Sequence, residues 1–159
     1  MSLESVRESL KKFGADTRIL EFESSSATVD LAAEDLHCRP EEICKTMAFD
    51  VDGRTVVIGI AGTARIDNHK YKGFFHAKAK MLKGDEVVQR TSHPIGGVCP
   101  FGLPEGVEVY LDESLKKFDK VYPACGSINS AICVTIDELQ EYSGCYNWID
   151  VTKMPEEEQ

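Results

Sequence analysis

The sequence predicts an α/β domain in which a mixed, largely antiparallel, barrel-like sheet is surrounded by helices. Three observations carry that expectation. Two apolar runs, residues 45–51 and 55–61, flank Asp52-Gly53, a strong short-range hairpin signal. Helical apolar spacing, as at Leu3, Val6, Leu10 and Phe13, occurs among strand-like runs rather than apart from them. Strands joined both by a hairpin and by helices give a mixed sheet or a partly closed barrel with helices packed outside.

The elements follow in order. Ser2 caps the first helix and Gly14 stops it. Residues 18–23 alternate as a short strand, and residues 28–36 form a helix with Val29, Ala32, Ala33 and Leu36 inward. Pro40 opens a helical turn over 40–44. Beyond the hairpin, 67–75 reads as a helix, 77–81 as a short extended piece and 84–88 as another helix. Residues 107–111, 120–125 and 131–135 are strands, 137–142 a helix, and 146–151 a strand that closes the sheet. With 159 residues the chain fits one domain over 1–153, and 154–159 is expected to be an acidic, flexible tail. A chain of this size removes roughly 70% of its extended surface from water and needs no staples.

Charge and cysteine usage narrow the class. The net charge of −9 argues against a broad nucleic-acid-coating surface, because phosphate binding favours basic surfaces. Lys70, Lys72, His76, Lys78, Lys80 and Lys83 nevertheless fall close together, either as a solvated face or as a small basic patch. Six cysteines without C-x-x-C spacing read as reduced thiols. No apolar run is long enough to span a bilayer, and charges occupy the first twelve residues, so a cytoplasmic protein is expected. Neither DNA nor a membrane is expected as a partner.

Chemistry concentrates in Ser92-His93-Pro94-Ile95-Gly96-Gly97-Val98-Cys99-Pro100-Phe101-Gly102-Leu103. Gly96-Gly97 lets a ligand approach the main chain, and the two prolines stiffen the segment, so its amides could form an oxyanion hole or simply a structural turn. Phosphate-loop and dinucleotide spacings are absent. Lys45, at the start of a strand otherwise filled by Met47, Phe49 and Val51, is either a cationic donor to substrate or a strand-end lysine in water. His37, His69, His76 and His93 show no metal-site spacing, so no metal and no cofactor is expected. Cys99 reads as a nucleophile or, more simply, as a small buried thiol. Asp112 could cap the turn that follows it.

In that order, Lys45-Thr46, the His93 to Gly102 segment, Leu111-Asp112-Glu113-Ser114-Leu115 and Ala124-Cys125-Gly126 resemble the YbaK/prolyl-tRNA-synthetase-associated family of editing domains. The resemblance spans about residues 1–145. It implies the YbaK-like fold and hydrolysis of aminoacyl-tRNA carrying the wrong amino acid, by a free-standing, trans-acting protein. It further implies that Lys45 is the essential lysine, that Thr46 neighbours it in the pocket, that Gly96 and Gly97 face the substrate carbonyl, and that Asp112 lies near the pocket rim. His93, Pro100, Gly102 and Gly126 are expected to contact substrate, and Phe22 falls where some members carry a tyrosine. Such domains need no side-chain nucleophile; the terminal ribose or the amino acid itself is thought to assist.

The expected activity is deacylation of mischarged tRNA, with tRNA for proline carrying alanine or cysteine as substrate, recognised at its 3′ end, and with an aminoacyl-tRNA synthetase as a further partner. The alternatives are a non-catalytic module that binds aminoacyl-tRNA or a synthetase, and a thiol redox protein built on Cys99 or Cys125.

Overall fold

The hairpin at Asp52-Gly53 is the spine of the fold, and both turn residues take the positive φ, 51° and 88°, that a type I′ turn demands. The computed structural model describes residues 2–25 and 27–155. Helix α1 (Ser2–Lys11), strand β1 (Leu20–Glu21) and helix α2 (Val29–Leu36) precede the hairpin strands β2 (Ile43–Val51) and β3 (Arg54–Ala61). Then come β4 (Arg65–Ile66), α3 (Asn68–Phe75), α4 (Asp85–Thr91), β5 (Glu108–Asp112), β6 (Lys120–Pro123), β7 (Ser130–Ala131) and β8 (Val134–Thr135). Helix α5 (Ile136–Ser143) and strands β9 (Trp148–Ile149) and β10 (Thr152–Lys153) complete the order.

Six strands in the order β8-β6-β2-β3-β5-β9 make one mixed sheet that curls as a half-barrel. The antiparallel β2–β3 ladder runs from Cys44 opposite Ala61 to Val51 opposite Arg54, and β6–β8 is antiparallel too. The β2–β6, β3–β5 and β5–β9 pairs are parallel. Two further antiparallel pairs, β1–β7 and β4–β10, lie outside this sheet. Antiparallel ladders therefore carry most of the residue pairs, as expected for a mixed, largely antiparallel barrel.

Alternation along the hairpin sends side chains to two buried faces. Phe49, Val51, Val56, Ile58 and Ile60 pack with Tyr71 and Phe75 of α3. On the opposite face Cys44, Leu111 and Leu115 pack with Val6 and Leu10 of α1 and Leu139 of α5, while Ala48 and Val57 pack with Leu82 and Val87. Helix starts are capped locally. Thr28 Oγ1 accepts from Leu31 N–H, Asp67 from His69 and Lys70 N–H, and Thr135 forms a capping box with Glu138.

The extended piece expected over 77–81 meets β2 through an antiparallel bridge from Met81 to Phe49. Two details differ from expectation. The Ser2 hydroxyl does not cap α1; it bonds to His93 Nδ1. The run 131–135 is split, because β7 pairs with β1 whereas β8 pairs with β6. Strands β4 and β10 carry no signal in so short a sequence window. Of the expected acidic tail, residues 156–159 lie outside the described residues. Among the described residues no helix is long and apolar enough to cross a membrane.

Candidate functional site

The site begins as a break in the ladder along the outer edge of β2. Strand β6 reaches only Ile43 and Cys44. Farther along, the segment before α4 takes over: Leu82 N–H donates to Ala48 O at 3.0 Å, and Asp50 N–H donates to Lys80 O at 2.9 Å. Main-chain groups alternate sides along an antiparallel strand, so Thr46, two residues before Ala48, turns its N–H and C=O into the gap. A cavity of about 290 Å³ occupies it. Its floor is residues 43–48; its walls include Val29 at the start of α2, Leu82, Val87, Gly96, Val98 and Ala131.

Lys45 and Thr46 point to opposite faces of β2, and both line the cavity because it sits on the strand's edge. Lys45 Nζ donates to Ala64 O at 3.1 Å, leaving two of its three N–H groups unassigned. Burial first, and the neighbouring Arg65 second, lower its pKa from the ordinary lysine value. Thr46 Oγ1 is buried and, apart from the Cys44 thiol beside it, has no partner.

The glycine segment forms a type II turn: Gly97 N–H donates to Pro94 O at 2.9 Å, and Gly96, the third residue, takes φ 87°. That bond consumes the Gly97 amide. Gly97 does not line the cavity; an added Cβ there would stand 2.8 Å from the Ser127 backbone. The pair of amides expected from the sequence is thus reduced to one: Gly96 lines the cavity, and its N–H has no partner among the described residues.

The other expected site residues do not reach the cavity. His93 is fully buried. Its Nε2–H donates to Phe101 O at 2.8 Å, its Nδ1 meets the Ser2 hydroxyl, and burial lowers its pKa. Gly102 and Gly126 give close passage to the same helix, since a Cβ on either would stand 2.8 Å from backbone atoms of Ser5 and Val6 or of Ser2. Asp112 is also fully buried rather than at a rim: it accepts from Ser114 N–H (2.9 Å), Val151 N–H (2.8 Å) and the Thr152 hydroxyl (2.7 Å). Pro100 is buried, and Phe22 exchanges hydrogen bonds with Asn129. All six cysteines are free. Burial pushes the Cys99 thiol up to about 12 and raises Cys125 well above its ordinary value, which leaves neither as a thiolate nucleophile at neutral pH. No group of three or more potential metal ligands occurs among the described residues.

Several cavity residues, Met81 and Tyr122 among them, carried no sequence signal, whereas Ile95 and Lys83 lie in the glycine segment and in the basic cluster read from the sequence. Met81 and Ile95, 47% and 62% exposed, line the cavity, as do Lys83 and Tyr122. They come from segments that only the tertiary fold brings to one strand edge.

The chain is 49% identical over 154 residues to the uncharacterized protein YwhH of Bacillus subtilis, covering 96% of this chain and 98% of that one. It is 29% identical over 118 residues to the proline–tRNA ligase of Geobacillus kaustophilus, which is 74% of this chain but only 19% of the ligase. A solved structure described as a candidate trans-editing enzyme for prolyl-tRNA synthetase superposes with TM-score 0.85 at 25% identity, covering 96% of this chain and 97% of that one. The profile of the aminoacyl-tRNA editing domain matches residues 23–142. With three quarters of its length matched, the chain belongs to the aminoacyl-tRNA editing domain family.

Proposed function

We propose that this protein is a trans-acting deacylase that hydrolyses the ester of mischarged aminoacyl-tRNA, with tRNA for proline carrying alanine or cysteine as its substrate. The observation that carries the reading is the convergence, on one small cavity, of Lys45, of Gly96 with its partnerless amide, and of the main-chain groups that Thr46 turns into the gap. Its volume of about 290 Å³ lies at the small end of the range for ligand pockets. That suits a small aminoacyl group.

The chemistry asked of such a site is modest. Water attacks the ester carbonyl carbon, the bond to the ribose oxygen breaks, and that oxygen leaves with a proton, giving free amino acid and uncharged tRNA. The Gly96 N–H is directed at the carbonyl oxygen as negative charge develops there; a preorganised donor of this kind typically contributes about 10² to 10³ in rate. The unassigned N–H groups of Lys45 hold the terminal ribose or the ester. The main-chain N–H and C=O that Thr46 turns into the gap take polar atoms of the aminoacyl group. No thiol is required.

The test is a deacylation panel with alanine, cysteine, serine and proline esterified to tRNA for proline. Accelerated release of alanine or cysteine, with proline spared, is the expected result. Binding of tRNA without acceleration of any release would leave a recognition module in place of an enzyme.

A further inference from the structure

Residues 65–83 carry six lysines and arginines against one acid, Asp67, in a chain whose net charge is −9. The acid is occupied in capping α3. Two of the six cations are engaged elsewhere in the structure: Lys70 bonds to Asp150 and to Thr152 O, and Arg65 has contacts of its own. Lys72, Lys78, Lys80 and Lys83 remain, all exposed and none within ion-pair distance of a described carboxylate.

Their order is set by the edge of β2. Leu82 bonds opposite Ala48 and Lys80 opposite Asp50, so the segment runs antiparallel to β2. Lys83 lines the cavity, and Lys80 and Lys78 step away from it toward the hairpin turn, with Ala79 and Leu82 packed inward as anchors. Asp85 and Glu86, on the α4 side of Lys83, repel an anion in that direction. Asp50, beside Lys80, is held by Arg90 at 3.0 Å. From Lys78 to Lys83 the chain spans at most about 18 Å.

We infer that this row of lysines is a track for the phosphate backbone of the single-stranded 3′ end of tRNA, running from the cavity mouth at Lys83 past Lys80 to Lys78. The inference rests on the deacylase reading for what sits in the cavity, but the track itself is a charge-complementary RNA surface. It answers a difficulty posed by the composition, since it supplies a local cationic path on an otherwise acidic protein. Exposed Met81, between Lys80 and Lys83, adds an apolar surface for a base.

The experiment compares wild type with Lys78→Ala/Lys80→Ala/Lys83→Ala and with a control that removes equal charge from exposed lysines elsewhere, Lys12→Ala/Lys117→Ala/Lys120→Ala. Binding of uncharged tRNA is measured by fluorescence anisotropy across a salt series. Each phosphate contact to a single strand contributes about 0.7 to the slope of log affinity against log salt, so the track variant is expected to be shallower by about 2, and the control unchanged. Turnover is measured on aminoacyl-tRNA and on the aminoacyl ester of adenosine, which lacks the backbone. Lys78→Ala/Lys80→Ala, which keeps the cavity-lining Lys83, should raise KM for the tRNA and leave the small ester untouched. Equal slopes and equal KM in wild type and track variant, or the same change in the control, overturn the track. A wild type that hydrolyses neither ester overturns the deacylase reading instead, and the tRNA-binding series still decides the track.

Discussion

At the residue level, Gly96 and Gly97 show how one dipeptide serves two physical purposes. Gly96 is required by its positive φ, lines the cavity and keeps its amide unpaired among the described residues; Gly97 is required by the closeness of Ser127 and spends its amide inside the turn. Gly97→Ala should therefore lower stability by about 1–3 kcal/mol through overpacking, read as a shift in the urea midpoint, with any loss of turnover secondary to the displaced turn. Lys45→Ala should act in the opposite sense. Removing a desolvated cation from a strand edge leaves the thermal midpoint nearly unchanged, while kcat/KM for the deacylated substrate falls by about 10² or more. A variant with full activity would remove Lys45 from the site. The sequence pattern carried Lys45, Thr46 and Gly96 to the cavity. It could not separate them from His93, Asp112, Gly102 and Gly126, because a side chain that supports a site from behind leaves the same trace in a sequence as one that touches substrate.

At the level of elements, those four residues turn out to organise the ends of the chain around the sheet. His93, Gly102 and Gly126 seat the start of α1, and Asp112 ties β5 to the C-terminal residues Val151 and Thr152. His93 gives this arrangement a pH dependence. Its folded pKa is lowered by burial, so the folded state binds fewer protons than the unfolded one. Stability from this residue is complete above the unfolded value of about 6.5 and declines as pH falls through it, by at most about 1.4 kcal/mol per pH unit. Denaturant titrations between pH 5 and 8 should show that decline, and His93→Gln should flatten it. The elements themselves were mostly legible. Long amphipathic helices and the hairpin were readable because their periodicity extends over eight or more residues, whereas β4, β10 and the division of the run 131–135 into β7 and β8 are two-residue pairings set by tertiary contact alone.

Considered as a whole molecule, the folded unit is larger than the stretch that matches the family. Val6 and Leu10 precede that stretch and are fully buried, as is Val151 beyond it. A chain trimmed to residues 23–142 would expose the core faces left by α1 and by the C-terminal strands; circular dichroism and urea titration should find no cooperative transition, against a single one for the full chain. The interrupted edge of β2 has a consequence at this scale as well. Unpaired strand edges invite other chains to add to a sheet and so promote aggregation. Here β6 guards one end of the opening and residues 80–82 the other, which leaves the polar groups of about one residue on offer. A foreign strand cannot find a register on so short a stretch, so the molecule presents main-chain hydrogen-bonding groups to a small guest while denying a template to its own kind.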